Sequence, residues 1–338
     1  MYNPRTEIKI EKYDQLQTDS ARLDFLVLLA SLAPSSHNTQ PWLFEIRDKT
    51  ITVKANFDRK LPYSDENNRQ LFLSIGAAIQ NLLHGSDSLG LKYDAEYNFD
   101  FDKNTIFTIY YQSLASSSID QKAFDNLVNR KTNRLPLEDR RIDQSILDEM
   151  AAECLEGIVS TFVSQENQKQ SIRDIVSKSV KEAFADKKFT TELSAWVKPS
   201  SVKYRDGMPG YTIGVPKLIS YLLPFAIRNF NLQNFQAKMH EEWLKNAPVY
   251  GVISTVEDNE SAWVKAGMSF EKIALKAEGL GLRIGIMGAP IEIGDNYKLV
   301  KQALGISTRP QMFFRIGYGP DMPHFSPRID LDKVIVRV

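Results

Sequence analysis

Two short runs gather the side chains best suited to chemistry. The first, Ala33-Pro34-Ser35-Ser36-His37-Asn38-Thr39-Gln40-Pro41-Trp42, leads from the end of an apolar helix into a strand. Its two prolines bracket hydroxyls and amides, which makes a rigid connection rich in donors and acceptors and suited to a planar polar ligand. The second, Arg130-Lys131-Thr132-Asn133-Arg134, follows a predicted helix over Gln121–Asn129. Two guanidinium forks and a hydroxyl within five residues can satisfy a phosphate dianion, because arginine pairs bidentately with phosphate oxygens and stays charged at any working pH. Arg328, in Ser326-Pro327-Arg328, is a further cation for the same phosphate. Taken singly, the first run also reads as an ordinary helix-to-strand loop and the second as a solvated basic turn.

The elements that must position these runs show a repeat. Residues 74–92 and 265–283 each carry a Gly (Gly76, Gly267) followed fourteen residues later by another inside Leu-Gly-Leu, then by a cation. The apolar positions between them, Ile79, Leu82 and Leu83 against Phe270, Ile273 and Ala274, recur at helical spacing and superimpose without a gap. Two unrelated amphipathic helices ending in Gly caps would look similar. The surroundings favour duplication. Trp42–Arg47, Thr50–Ala55, 92–99 and 105–111 are rich in β-branched and aromatic residues around the first helix. Around the second, 248–256 and 311–317 read as strands, 258–280 as the long helix and Asn296–Leu304 as a short one. Gly76 and Gly267 each cost a helix ~1 kcal/mol relative to Ala, so a close approach of the two helix backbones is expected in compensation. The predicted fold is an α+β sandwich of two related halves, 1–120 and 121–338, packed like a homodimer around central helices. Residues 196–216 match neither half. Turn formers threaded with Trp196, Tyr204, Met208 and Tyr211 predict a long irregular loop ordered as a lid.

Composition narrows the partners. The 338 residues are 43% hydrophobic, enough for a substantial core. Lys plus Arg and Asp plus Glu are both 42, so no net basic field draws nucleic acid or an anionic membrane. Apolar stretches fall short of the ~20 residues a membrane span needs, and residues 1–11 do not read as a signal peptide, so a cytoplasmic location is expected. The lone Cys154 can form no internal disulfide and reads as a small packed residue. The four histidines, His37, His84, His240 and His324, are scattered, and no metal is expected. The glycines of Gly279-Leu-Gly281-Leu-Arg-Ile-Gly285 end a helix where a dinucleotide fingerprint would open one. Arg69 reads as a salt-bridge partner.

Together, the Pro-Ser-Ser-x-Asn-x-Gln-Pro-Trp and Arg-x-Thr-x-Arg runs resemble those of the FMN-dependent nitroreductase superfamily. Ala289-Pro290-Ile291-Glu292 is similar to that family's Pro-x-Glu-Gly segment along the flavin ring. Ordinary members are half-length homodimers with FMN at the interface. With one copy of each motif, in different halves, this chain is most similar to the double-length Acg-like branch, which implies one flavin per chain. The resemblance gives phosphate binding to Arg130 and Thr132, completed by Arg328, and places Arg134 at flavin N1 and the C2 carbonyl, where it would stabilise reduced flavin. Pro34, Ser35, Ser36 and Asn38 would reach the same FMN from the other half. The backbone of Pro290, Ile291, Glu292 and Ile293 would lie near N5, although Ile293 stands where the family has Gly and Gly294 comes one place later. The implied activity is ping-pong reduction of nitro-aromatics, quinones or similar electron-poor small molecules with NAD(P)H. A non-catalytic FMN-storage protein sealed by the lid is the alternative. The chain would be a pseudo-dimeric monomer, with further self-association left open.

Overall fold

The computed structural model describes residues 5, 7–100 and 103–338. In chain order the strands are β1 (Trp42–Arg47), β2 (Thr50–Ala55), β3 (Lys92–Asp100), β4 (Thr105–Ser113), β5 (Ile158–Val163), β6 (Val197–Lys198), β7 (Met208–Pro209), β8 (Val249–Thr255), β9 (Arg283–Ile286), β10 (Arg309–Gly317) and β11 (Ile335–Arg337). A five-stranded sheet has the order β11-β1-β2-β4-β3 and a four-stranded sheet the order β5-β8-β10-β9. Set β11 aside and both sheets run first, second, fourth, third. In each, a long helix joins the second strand to the third: Arg69–Ser88 between β2 and β3, and Glu260–Gly279 between β8 and β9. All pairings in these two sheets are antiparallel except β1 with β11, where the C-terminal segment returns to the first sheet.

Burial explains the strand sequences. In β1, Trp42, Phe44 and Ile46 face the core while alternate residues face out, the pattern of a sheet covered on one side. Every residue of β8 is buried because it lies between β5 and β10 with helices against it, and it reads as a continuous apolar run. Asn259 caps the second long helix, its side chain accepting from Ala262 N. Asn68 does not cap the first one. Asp65 does so instead, accepting from Gln70 N at 3.0 Å and Leu71 N at 2.9 Å.

The two long helices cross where the repeat placed its early glycines. A Cβ on Gly76 would stand 2.0 Å from the Val264 carbonyl oxygen, and one on Gly267 would stand 2.0 Å from that of Leu73. The contact is reciprocal at the register of the sequence repeat: each glycine meets the carbonyl three residues before the other. The principal core draws on both halves, joining Leu26 and Phe44 to Phe270 and Phe314.

The boundaries of the predicted strands shift by at most two residues. The helices Glu166–Ala185 and Gln233–Lys245, and strands β5, β9 and β11, were not foreseen. The segment 196–216 is less irregular than expected: a helix Lys187–Trp196 runs into it, β6 and β7 pair in parallel, and Gly210–Thr212 forms a 3-10 turn. Arg69 donates to the carbonyl and the side-chain oxygen of Gln311, where a carboxylate partner had been expected. Cys154 is half-buried against the principal core.

Candidate functional site

The loop after the helix Asp19–Ala30 holds an uncommon backbone. His37, Asn38 and Gln40 have φ of 49°, 55° and 53°, three left-handed non-glycine residues within four positions. Their side chains stabilise this shape by joining remote segments. Asn38 Nδ2 donates to the carbonyls of Gly207 (3.0 Å) and Pro327 (3.1 Å). Gln40 Nε2 donates to the Arg205 carbonyl at 2.9 Å, and Gln40 Oε1 accepts from Ile329 N at 2.9 Å. The amides that suggested a ligand thus fasten the lid and the C-terminal tail to this loop. Ser36 N points toward the first long helix and donates to Ser74 Oγ at 3.4 Å.

The arginine run is an extension of the second sheet. Thr132 bridges Ile284 of β9 in parallel, and Asn133 N donates to the Ile284 carbonyl at 2.7 Å. This brings Arg130 to the C-terminal end of Asp19–Ala30, where helix carbonyls lack intrahelical partners and the helix dipole is negative. Three guanidinium groups converge there on one acceptor: Arg5 (2.9 Å), Arg130 (2.9 Å) and Arg328 (2.7 Å) all donate to the Leu32 carbonyl. Arg328 spends further donors on the carbonyls of Ser31, Ala33, Ser326 and Pro327. It acts as a cap that welds the tail to the helix end. The carboxylate in ion-pair contact with the cluster is Glu271, fully buried on the second long helix, 2.7 Å from Arg130 Nε. Burial raises its pKa, against the pull of Arg130, Arg5 and Arg328. Burial lowers Arg328 to about 9, with Arg130 adding to the effect, and pushes Arg5 well down for the same reasons. Glu278 adds a second carboxylate whose charge acts on Arg5 and Arg130.

Beside this cluster a polar cleft opens between residues 34–38 and residues 130–134. Pro34, Ser35 and Asn38 line it from the first half. Arg130, Thr132, Arg134 and Arg328 line it from the second. Seven of the twelve residues singled out in the sequence are thus in one place. Lys131 joins them. The lid supplies Met208 and Thr212, and Arg134 Nη1 donates to the Thr212 carbonyl at 3.1 Å. Burial lowers Arg134 to about 10, so it remains a cation near neutrality. The helix Lys187–Trp196 that leads into the lid is held by Glu192, which accepts from Tyr63 N and Ser64 N at 3.0 and 2.9 Å, and the lid itself by the ion pair Arg59–Asp206 at 2.6 Å.

Ser36 and the run Pro290, Ile291, Glu292, Ile293 do not line the cleft. Pro290 and Ile291 are buried in a short helix, Ala289–Glu292, with Ile291 in a second core. Glu292 folds against Gly288, and burial raises it to about 7 while the charge of Arg69 opposes the shift. Sequence reasoning missed Arg5, which no motif marks, and Phe325, whose ring carries Arg5 on one approach and Lys131 on another, each 4.6 Å from its centroid. It also set aside His37. That ring lines the cleft, burial lowers it to about 4, and its Nδ1 has no hydrogen-bond partner among the described residues. Its place inside the Pro-Ser-Ser run was the available signal.

A sequence model of the Nitroreductase family matches residues 128–318. Among relatives, the Mycobacterium tuberculosis (strain ATCC 25618 / H37Rv) protein named "Putative NAD(P)H nitroreductase Rv3131" is 24% identical over 326 residues, covering 94% of this chain and 92% of its own. "Putative NAD(P)H nitroreductase acg" of the same strain is 22% identical over 317 residues, covering 91% and 93%. Among solved structures, the FMN and NADPH-dependent nitroreductase NfnB from sphigopyxis sp. strain HMH is 18% identical, with 63% of this chain and 97% of that chain covered at a TM-score of 0.42.

Proposed function

The chain belongs to the nitroreductase family, and we propose that it is an FMN-dependent oxidoreductase that takes electrons from NAD(P)H and passes them to an electron-poor small molecule. One observation carries the reading: guanidinium groups from three separate segments, Arg5, Arg130 and Arg328, meet on the Leu32 carbonyl beside a polar cleft, with Glu271 paired to Arg130. Several guanidinium groups and Lys131 lining one polar cleft favour an anionic ligand there, since a charge removed from water gains from a partner of opposite sign. A phosphate monoester meets that demand. Arg130, Thr132 and Lys131 are placed to bind it, with Arg5 and Arg328 contributing field more than free N–H groups. The polar loop of Pro34, Ser35 and Asn38, His37 with its unpartnered Nδ1, and Arg134 border the rest of the cleft, where a flat heteroaromatic ring would lie.

FMN bound there would supply reversible two-electron transfer, and the protein would supply binding, orientation and charge. Arg134 offers a fixed cation beside the ring. The lid excludes water, and its closure competes with substrate for the ring face. Nitro-aromatics and quinones suit such a site because they accept electrons while stacked, in a ping-pong order that needs no acid or base on the protein at the transfer step. Two halves, 1–120 and 121–338, would then divide the labour of one site, and the common strand order and reciprocal glycine contact support an internal duplication. The lone Cys154 fits a reducing, cytoplasmic setting.

The ties of the lid to both sides, Gly207 to Asn38 and Thr212 to Arg134, favour a second reading in which the protein sequesters FMN without turnover. Adding NADPH or NADH without oxygen to the flavin-loaded protein separates the two. Loss of the flavin absorbance, restored by a quinone or nitro-aromatic, supports the oxidoreductase. Absorbance unmoved by either donor, but lost once residues 203–210 are deleted, supports storage.

A further inference from the structure

Exposed large apolar side chains are unevenly spread among the described residues. Seven of seventeen fall within residues 218–235: Leu218 (84% exposed), Ile219, Tyr221, Leu222, Phe225, Phe230 and Phe235. Single exposed apolar residues need no explanation, whereas a contiguous patch marks a surface that meets something. The patch is built on two short helices, Lys217–Ser220 and Leu223–Asn229, and the start of Gln233–Lys245. Their inner side is anchored: Ser220, Ile227 and Ala237 are buried, and Ile227 packs with Leu193 and Val197 in a satellite core. The outward apolar face is therefore a fixed feature of the fold.

Its charge is as uneven as its hydrophobicity. From Gly207 to His240 the sequence has no Asp or Glu, while Lys217, Arg228 and Lys238 are exposed within that stretch. Lys187 Nζ donates to the Arg228 carbonyl and brings another cation to the edge of the patch. The nearest acids in sequence are Asp206, which pairs with Arg59, and Glu241 and Glu242 at the far end. The neutral total that argued against an anionic membrane conceals this local imbalance.

We propose that this face docks on an anionic lipid surface, with Leu218, Leu222 and Phe225 entering the interface and Lys217, Arg228 and Lys238 meeting the headgroups. An apolar face ringed by cations is the combination that holds helices in the plane of such a surface. A second copy fits less well, because an isologous contact would bring the cations Lys217 and Arg228 close to their own counterparts, with Glu241 and Glu242 only at the far end of the face. The attachment is peripheral: no helix among the described residues is long and apolar enough to cross a membrane. The inference does not depend on the cofactor.

Co-sedimentation of the full chain with vesicles tests it, comparing phosphatidylcholine alone with an equal mixture of phosphatidylcholine and phosphatidylglycerol. Binding to the mixed vesicles should exceed binding to the neutral ones by about tenfold or more. It should weaken with salt as the screening length falls from about 10 Å at 0.1 M to about 3 Å at 1 M. The double variant Leu222→Ser/Phe225→Ser should bind mixed vesicles at least about tenfold more weakly, since each apolar side chain kept in water forgoes its transfer free energy. Lys217→Gln/Arg228→Gln should lose the preference for anionic lipid. All four positions are exposed, and circular dichroism confirms that the variants fold. No binding by the folded protein, or equal binding to both vesicle types, overturns the proposal. Self-association without vesicles that Leu222→Ser/Phe225→Ser abolishes would also overturn it, by giving the face to a second copy.

Discussion

At the crossing of the long helices the two halves offer each other the same thing, a glycine against a backbone carbonyl, whereas at the cleft they offer different things. The first half brings a strained polar loop there, and the second brings guanidinium groups. The crossing is apolar and tightly packed, so anything added to it is a collision. The cleft is lined by buried guanidinium groups and a backbone in uncommon conformations, features that cost stability and suit a ligand. The contrast teaches that two long helices can meet through the same glycine-to-carbonyl contact while the cleft beside them draws unlike chemistry from residues 34–38 and 130–134.

The largest effect expected from breaking this contrast is at the centre. Ala is the better helix former by ~1 kcal/mol, so propensity alone would make Gly76→Ala and Gly267→Ala stabilising. A Cβ 2.0 Å from a carbonyl oxygen reverses the sign, and each variant should lose about 3 kcal/mol or more in denaturant unfolding. The two losses should be similar. Stabilisation by either would mean that the helices do not meet at these glycines.

Next comes the charge cluster. Arg130→Ala strands Glu271 in the core without its nearest partner, which should cost about 3 kcal/mol of stability and weaken FMN affinity by roughly ten- to a hundredfold. Adding Glu271→Gln should recover most of the stability while leaving the affinity low, because the carboxylate and not the phosphate caused the first loss. Recovery of both together would place Arg130 in a purely structural role.

Arg134→Ala should have a smaller effect on affinity and a larger one on electron transfer. Losing the cation beside the ring should lower the flavin reduction potential and slow reduction by NAD(P)H, and losing the bond to Thr212 should speed FMN release. Potentials shifted equally by Arg130→Ala and Arg134→Ala would contradict the division of roles.

The pH effects are confined to one window each, and they have opposite signs in the two surroundings. His37 in the cleft takes up its proton near pH 4 when folded and near 6.5 when unfolded, so stability is lost as pH falls through that window. His37→Gln should flatten this acid limb. Glu292, outside the cleft, is raised from 4.5 to about 7, so its contribution is full below pH 4.5 and is lost as pH rises toward 7. Glu292→Gln should remove that decline, at most about 3 kcal/mol by the value of a pK unit. Thermal melts from pH 4 to 8 on both variants measure the two slopes.

The two long helices and their crossing were the most legible part of the fold, because helix periodicity and costly glycines leave a mark that survives without alignment. β11 left none: three residues at a chain end carry too little pattern, and their partner β1 is remote in sequence. At the site, Arg130, Thr132, Arg134 and the Pro-Ser-Ser loop were visible as local runs. Arg5 and Glu271 were not, since each matters only through tertiary convergence on Leu32 and Arg130. The amides of Asn38 and Gln40 show the limit of composition. Their types announced hydrogen bonding, but only the structure reveals that they hold the lid and tail.

The central claim is that two unlike halves complete a single flavin site. Releasing the bound flavin from purified protein and measuring it against protein concentration tests this most directly. The account predicts FMN at about one per chain, falling sharply in Arg130→Ala. Two flavins per chain, or a chain that folds and takes up no FMN when it is supplied, would contradict it.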